Sequence, residues 1–158
     1  MVANTGEPVK WKSPLGLPCV QPYKYISSTS IITTILQSLT VADNFDDQPV
    51  NKSKNTTAFP PNFVHSIDST HMMLTALKCK DEQITFAAVH DSYWTHPCDI
   101  DRMGTILREQ FVDLHSSPLI GDLNENFMSR YPHEKFPEIP KQGSFSLDNV
   151  KESTYFFS

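Results

Sequence analysis

Ile84-Thr85-Phe86-Ala87-Ala88-Val89-His90-Asp91-Ser92-Tyr93-Trp94-Thr95-His96 reads as two short strands about a sharp bend. Five of the six residues before His90 are apolar, and two aromatics follow Ser92. The pattern predicts a buried strand, a tight turn and a second strand, with the Asp91 carboxylate at the bend. A buried carboxylate without a counter-charge is costly, so a metal ion or a base is expected beside Asp91. His-Asp-Ser alone occurs by chance in many chains; the strands around it carry the reading.

The chain that holds this hairpin has 158 residues, enough for one domain with a real core. Its hydrophobic content of 39% and charged content of 20% are those of a globular segment and argue against wholesale disorder. No apolar run approaches the roughly 20 residues of a membrane helix, and no membrane partner is expected. Met1-Val2-Ala3-Asn4-Thr5-Gly6-Glu7 has the pattern of neither a signal peptide nor an arginine-rich transit peptide. Cys19, Cys79 and Cys98 are widely spaced and odd in number, which fits a reducing compartment better than a disulfide framework. The net charge of −5 argues against a stand-alone nucleic-acid binder, which usually carries a basic patch.

Around the hairpin, residues 9–25 are expected as strand and turn, with Ser13-Pro14-Leu15-Gly16 as the turn signal. Residues 26–41, with Ile31, Ile32, Ile35 and Leu36, suit a β-ribbon or a short helix, and residues 42–57 a polar, mobile loop. Pro60-Pro61-Asn62 predicts a helix start, running to about Lys80. Val64, Ile67, His71 and Leu74 should line its apolar face, and His65, Asp68, Ser69 and Met72 a more polar one. His71 on that stripe reads as a hydrogen-bonded core histidine. Past the hairpin, Asp99 is a candidate N-cap. Ile100, Met103, Leu107, Phe111 and Leu114 form a helical stripe ending near His115. A further helix is expected over Leu119–Tyr131, burying Ile120, Leu123, Phe127 and Tyr131. Pro132, Pro137 and Pro140 then predict an extended connector, and the aromatic tail Tyr155-Phe156-Phe157-Ser158 should dock back onto the body. The fold class is α+β.

Ala58-Phe59-Pro60-Pro61-Asn62-Phe63-Val64-His65-Ser66-Ile67-Asp68-Ser69-Thr70-His71-Met72, followed by Val89-His90-Asp91-Ser92, resembles the single-subunit, phage-type DNA-directed RNA polymerases, the mitochondrial branch above all. Pro-Asn-Phe-Val-His-Ser-x-Asp-x-x-His is specific to that family, and His-Asp-Ser is its motif C. The related A-family DNA polymerases usually carry His-Asp-Glu there, so Ser92 favours the RNA polymerases. Val9-x-Trp11-x-Ser13-Pro14-x-Gly16-x-Pro18, with Gln21 and Tyr23, is similar to the family's strand leading into its specificity hairpin. Arg108-Glu109-Gln110-Phe111 and Tyr155-Phe156-Phe157-Ser158 look like its C-terminal helix and foot. The resemblance spans residues 7–158. Its members are far longer, with a second catalytic aspartate and a fingers lysine and tyrosine upstream of this region.

The resemblance implies a C-terminal polymerase segment: strand and turn at 1–25, a specificity hairpin or mobile loop at 26–57, palm with motif C at 58–131, connector and foot at 132–158. It implies two-metal nucleotidyl transfer with Mg2+, in which Asp91 is one metal-binding carboxylate and the other comes from the upstream remainder of the polymerase. His90 would stand beside the metal or merely hold the bend. His65 would check the newest base pair in the minor groove, with Asp68 on the same duplex-facing helix; a local His65–Asp68 pair is the bland alternative. Phe156, Phe157 and Ser158 would pack under the active site. Gln37, Lys52 and Lys54 could touch promoter DNA, a solvated loop being the simpler reading of each. The implied partners are template and promoter DNA, nascent RNA, ribonucleoside triphosphates and mitochondrial transcription factors, and the implied location is the mitochondrion. A non-catalytic remnant or interaction module that keeps the palm fold is the rival. Structural zinc is disfavoured, since His65, His71, Cys79, His90, His96 and Cys98 match no finger or ribbon spacing.

Overall fold

Asn51 opens the longest element. Its side chain accepts a hydrogen bond from the Lys54 N–H at 3.0 Å, satisfying one of the donors that a helix start leaves open. In the computed structural model, which describes residues 5–25, 30–33, 38–41, 48–89 and 91–156 (of 30–33 and 38–41 the backbone), helix α1 runs from here over Lys52–Asp81. It therefore starts well before Pro60, and Lys52–Thr57 is helix, not loop. Pro60 and Pro61 lie inside it and withhold the N–H groups that a helix donates to the Thr56 and Thr57 carbonyls. Anchoring ahead of the prolines overrides that cost. Asn55 is fully buried; its Nδ2 donates to the Asn51 and Tyr23 carbonyls, both at 2.9 Å, and its Oδ1 accepts from the Val9 N–H at 3.4 Å.

The same region closes the base of a ribbon. Tyr25 N–H donates to the Pro49 carbonyl at 2.9 Å, and Asn51 N–H to the Tyr23 carbonyl at 3.0 Å. Between these stems, β3 (Ser30–Thr33) pairs antiparallel with β4 (Ser38–Val41), Ser30 opposite Val41 and Thr33 opposite Ser38. Of the two readings of 26–41, the ribbon is the one that the described residues 30–33 and 38–41 take. Gln37 lies outside the described residues.

Ahead of the ribbon, β1 (Lys10–Lys12) and β2 (Pro18–Val20) form a small antiparallel pair closed at Gly16, whose φ of +86° suits glycine. Trp11 on β1 is buried, and its Nε1–H donates to Ser66 Oγ on α1 at 3.0 Å. Trp11, Val9, Phe63, Ile67, Leu114, Phe127 and Tyr131 make one hydrophobic core. It joins β1 and α1 to two later helices, α2 (Ile100–His115) and α3 (Leu119–Arg130). A second core, Cys79, Met103, Ile106 and Leu107, joins the end of α1 to α2. Arg102 on α2 forks Glu82 just past α1 through Nε and Nη2, both at 2.5 Å, and this pairing holds the Glu82 carboxyl below its usual range.

α2 and α3 stand where the sequence places them, with three corrections to the expected apolar faces. Val64, Ile100 and Ile120 are 55%, 54% and 45% exposed. The buried stripe of α1 runs through Phe63, Ile67, Thr70, His71 and Cys79, and Val64, one residue along from Phe63, turns away from it. Ile100 and Ile120 sit in first turns beyond the edge of the cores. Asp99 holds the N-cap position of α2 without a side-chain capping bond.

The hairpin forms as expected, β5 (Ala87–Val89) antiparallel to β6 (Ser92–Trp94), with Val89 opposite Ser92. Its burial does not. Val89 and Trp94 are 59% and 61% exposed, while Ala88 and Tyr93 face inward. Only one face of this two-stranded unit has a neighbour among the described residues. After α3 the chain is irregular from residue 131 until a 3-10 turn at Leu147–Glu152. No helix among the described residues is long and apolar enough to cross a membrane.

Candidate functional site

Asp91 lies in the two-residue connection between β5 and β6, a length that forces a sharp reversal and pushes the carboxylate outward. The hydroxyl of Thr95 donates to the Thr85 carbonyl at 2.7 Å and clasps the hairpin further down. His90, the other residue of the bend, lies outside the described residues.

Asp91 lines two cavities. The larger, of about 620 Å3, also takes in His65, Asp68, His71, Tyr93 and His115. The other, of about 460 Å3, lies behind the hairpin, between Tyr93, Met103, Leu107, Arg108 and Phe156. Tyr93 belongs to both and reports the local field. Burial pushes its phenol above the ordinary value, and the carboxylates of Asp68 and then Asp91 push it further in the same direction. The two aspartates thus act on one phenol although they come from different elements.

His65 and Asp68 point outward from α1, 77% and 69% exposed, with Nδ1 and Oδ2 3.9 Å apart. That is the i,i+3 pairing expected from the spacing, and it sits on the wall of the larger cavity. His71 lines the same cavity but is itself buried; its Nε2–H donates to the Leu107 carbonyl at 2.9 Å, and burial holds the imidazole below its ordinary pKa. It is a core histidine, as its place on the apolar stripe predicts. Lys52 and Lys54 are exposed in the first turn of α1, away from both cavities.

Phe156 docks onto the second core beside Tyr93 and meets Phe111 edge-on at 5.1 Å. Arg108 lies over its ring, 5.6 Å from the centroid, and donates from Nη2 to the Ser153 carbonyl at 3.0 Å. Phe157 and Ser158 lie outside the described residues. Gly104 and Ser153, which complete the setting of Arg108, carry no motif; the recurrence of positions 104, 108 and 111 on one helical face is a signal for Gly104 alone, and nothing local points to Ser153.

A carboxylate such as Asp91 offers the hard oxygen donors that magnesium prefers. Among the described residues, no group of three or more His, Cys, Asp or Glu side chains stands close enough to hold a metal ion. Asp91 makes no such group with the described residues around it.

Residues 1–136 match the DNA-dependent RNA polymerase family. The chain belongs to that family. It is also 51% identical over 158 residues to the chloroplastic DNA-directed RNA polymerase 3 of Nicotiana sylvestris and 49% identical to the mitochondrial RNA polymerase 1B of Nicotiana tabacum, in each case over the whole chain and 16% of the relative. DNA-directed RNA polymerase 1A of Nicotiana tabacum is 48% identical over the whole of both chains. The chain thus spans about one-sixth of the length of the first two. With the family established, the phage-type resemblance of the Pro61–His71 and His90–Ser92 motifs stands.

Proposed function

We propose that the chain is the C-terminal palm, specificity and foot segment of a DNA-directed RNA polymerase, and that Asp91 is one of the two carboxylates serving its nucleotidyl-transfer centre. The observation that carries this is the place of Asp91: an exposed carboxylate at a two-residue bend, on one cavity with His65 and Asp68 and on another with Phe156. A pair of bound magnesium ions would lower the pKa of an RNA 3′-hydroxyl and stabilise the leaving pyrophosphate. Asp91 would supply carboxylate oxygen to that pair, its partner carboxylate coming from the upstream palm. His90 would flank the metal.

The larger cavity then faces template and nascent RNA. His65 would donate to minor-groove acceptors, which are nearly the same in every base pair, and so sense pairing geometry more than sequence. Asp68 orients that imidazole from one helical turn away. Phe156 belongs to the foot, packed beside Tyr93 of the hairpin. The β3–β4 ribbon on its closed stem is the promoter-reading element, and ribonucleoside triphosphates are the substrates. The relatives are named for chloroplasts and mitochondria; an organelle is the setting, and we assign the mitochondrion.

Asp91→Asn, in the polymerase that contains this segment, tests the reading. It removes a charge from the metal site and alters shape little. RNA extension should be abolished while promoter binding persists. Normal extension by the Asn variant would sink the assignment and bring forward the interaction module that retains the palm fold.

A further inference from the structure

Arg108 on α2 gives its guanidinium to neutral partners. Nη1 donates to the Gly104 carbonyl at 2.9 Å and Nη2 to the Ser153 carbonyl at 3.0 Å, and the group lies over the Phe156 ring. The first bond lies within its own helix and fixes the side-chain rotamer. The other two contacts then reach a segment that follows a long irregular stretch. That segment has its own local order: Lys151 pairs with Asp148 at 2.8 Å, and the Ser153 hydroxyl donates to the Tyr155 carbonyl at 2.6 Å. Arg108 is thus not needed to form the turn, only to dock it.

What docks with it is a wall of the cavity behind Asp91. Phe156 rests on the core of Cys79, Met103, Ile106 and Leu107, and Tyr93 rests on the same core. Tyr93 stands two residues from Asp91 on β6. Among the described residues the outer face of that hairpin is largely exposed, so the position of the Asp91 carboxylate is set largely by the inner face. We propose that Arg108 is a positioning residue for Asp91: by clamping Ser153 and Phe156 onto α2, it fixes the support behind the hairpin that carries the carboxylate. This rests on the reading of Asp91 as a metal-binding carboxylate. Lysine cannot replace the arginine, since a single ammonium on a flexible stem does not offer two fixed donors and a flat face.

The test uses the polymerase that contains this segment and measures single-nucleotide extension against triphosphate and Mg2+ concentration. Arg108→Ala and Arg108→Lys should both lower kcat about ten- to a hundredfold, the scale of a small misplacement of a reacting group. KM for the triphosphate should stay within about twofold of wild type, because ground-state binding is untouched. The Mg2+ concentration for half-maximal rate should rise in both. Gly104→Ala covers the case in which the arginine variants misfold. Alanine is the better helix former, so thermal stability should not fall. Its Cβ comes to 3.3 Å from Arg108 Nη1 and shifts the guanidinium by a few tenths of an ångström, so the Mg2+ requirement should rise by a smaller factor.

Wild-type kcat and Mg2+ dependence in Arg108→Lys and Gly104→Ala would overturn the proposal, as would a loss of thermal stability alone. Asp91→Asn run in parallel separates the two readings. If it extends normally, the role of Asp91 has failed; if it is inactive while the Arg108 and Gly104 variants behave as wild type, only the role of Arg108 has.

Discussion

His71 Nε2 and the Leu107 carbonyl, 2.9 Å apart, tie α1 to α2 inside the wall of the cavity that Asp91 faces. A carbonyl can only accept, so the imidazole carries its proton on Nε2. The ring also meets Phe111 edge-on at 5.7 Å, which leaves little water to solvate a charge.

From that contact follows a pH dependence. Burial lowers the His71 pKa in the folded protein, against the cation-stabilising pull of the Leu107 carbonyl and of Asp68. The unfolded chain then binds more protons than the folded one as pH falls past the ordinary imidazole value of about 6.5. Its stabilising contribution is complete above that pH and is lost progressively below it, down to the depressed folded value. Urea midpoints measured from pH 7.5 to 5.0 should fall for the wild type. His71→Phe, which does not titrate, should be less stable at pH 7.5 by about 1 kcal/mol for the lost hydrogen bond, and should show a shallower slope. Parallel slopes would show that His71 is not the titrating group.

His65 and Asp68 separate function from stability. Both are largely exposed, and an exposed i,i+3 pair contributes only about 0.2–0.5 kcal/mol. His65→Ala should therefore leave the unfolding midpoint nearly unchanged while altering misincorporation and pausing in the polymerase. An error spectrum and pausing pattern identical to wild type would reduce the pair to a surface contact.

Trp11 offers a measure of how firmly the first hairpin is fixed to α1. Its Nε1–H donates to Ser66 Oγ, whose own proton goes to the Phe63 carbonyl at 2.6 Å, and its ring meets Phe59 at 5.5 Å. Trp11→Phe keeps an aromatic ring and drops the donor. A loss of about 1–3 kcal/mol is expected from the missing bond and the partly emptied volume, read from equilibrium urea unfolding. A loss within experimental error would mean that the indole N–H is as well served by water.

The helices α2 and α3 and the position of the hairpin were legible because each has a strong apolar period with its own start or stop signals. The first turns of α1 were not. Lys52–Thr57 has no apolar face, its one buried side chain is the polar Asn55, and the Pro-Pro pair gives a false start. Composition also misjudged burial at β5 and β6: an apolar strand shows that a face is to be covered, not that this stretch of chain covers it. Spacing alone yields the His65–Asp68 pair. That Asp91 shares a cavity with them depends on how α1 passes the hairpin, which no local pattern encodes; only the family resemblance brought the three together in advance.

Asn55 is where the missed helix start can be tested. It joins three segments: Nδ2 donates to Tyr23 and Asn51 carbonyls, and Oδ1 accepts from Val9 N–H. Alanine at this position removes all three bonds in a fully buried place and leaves the Val9 N–H facing the gap, while the Tyr23 carbonyl keeps the Asn51 N–H. The expected cost is about 2–4 kcal/mol, a desolvated unpaired group plus a small cavity, well beyond the scale of a single surface bond. Asp at 55 keeps an acceptor for Val9 but turns the donor side into a second carboxylate oxygen facing two carbonyls, so it should be no better than alanine. Because the Tyr23 and Asn51 contacts also close the stem of the β3–β4 ribbon, Asn55→Ala in the polymerase should weaken promoter-specific initiation more than extension of a preformed RNA primer. Equal losses in the two assays would show that Asn55 supports the fold at large and not the stem in particular.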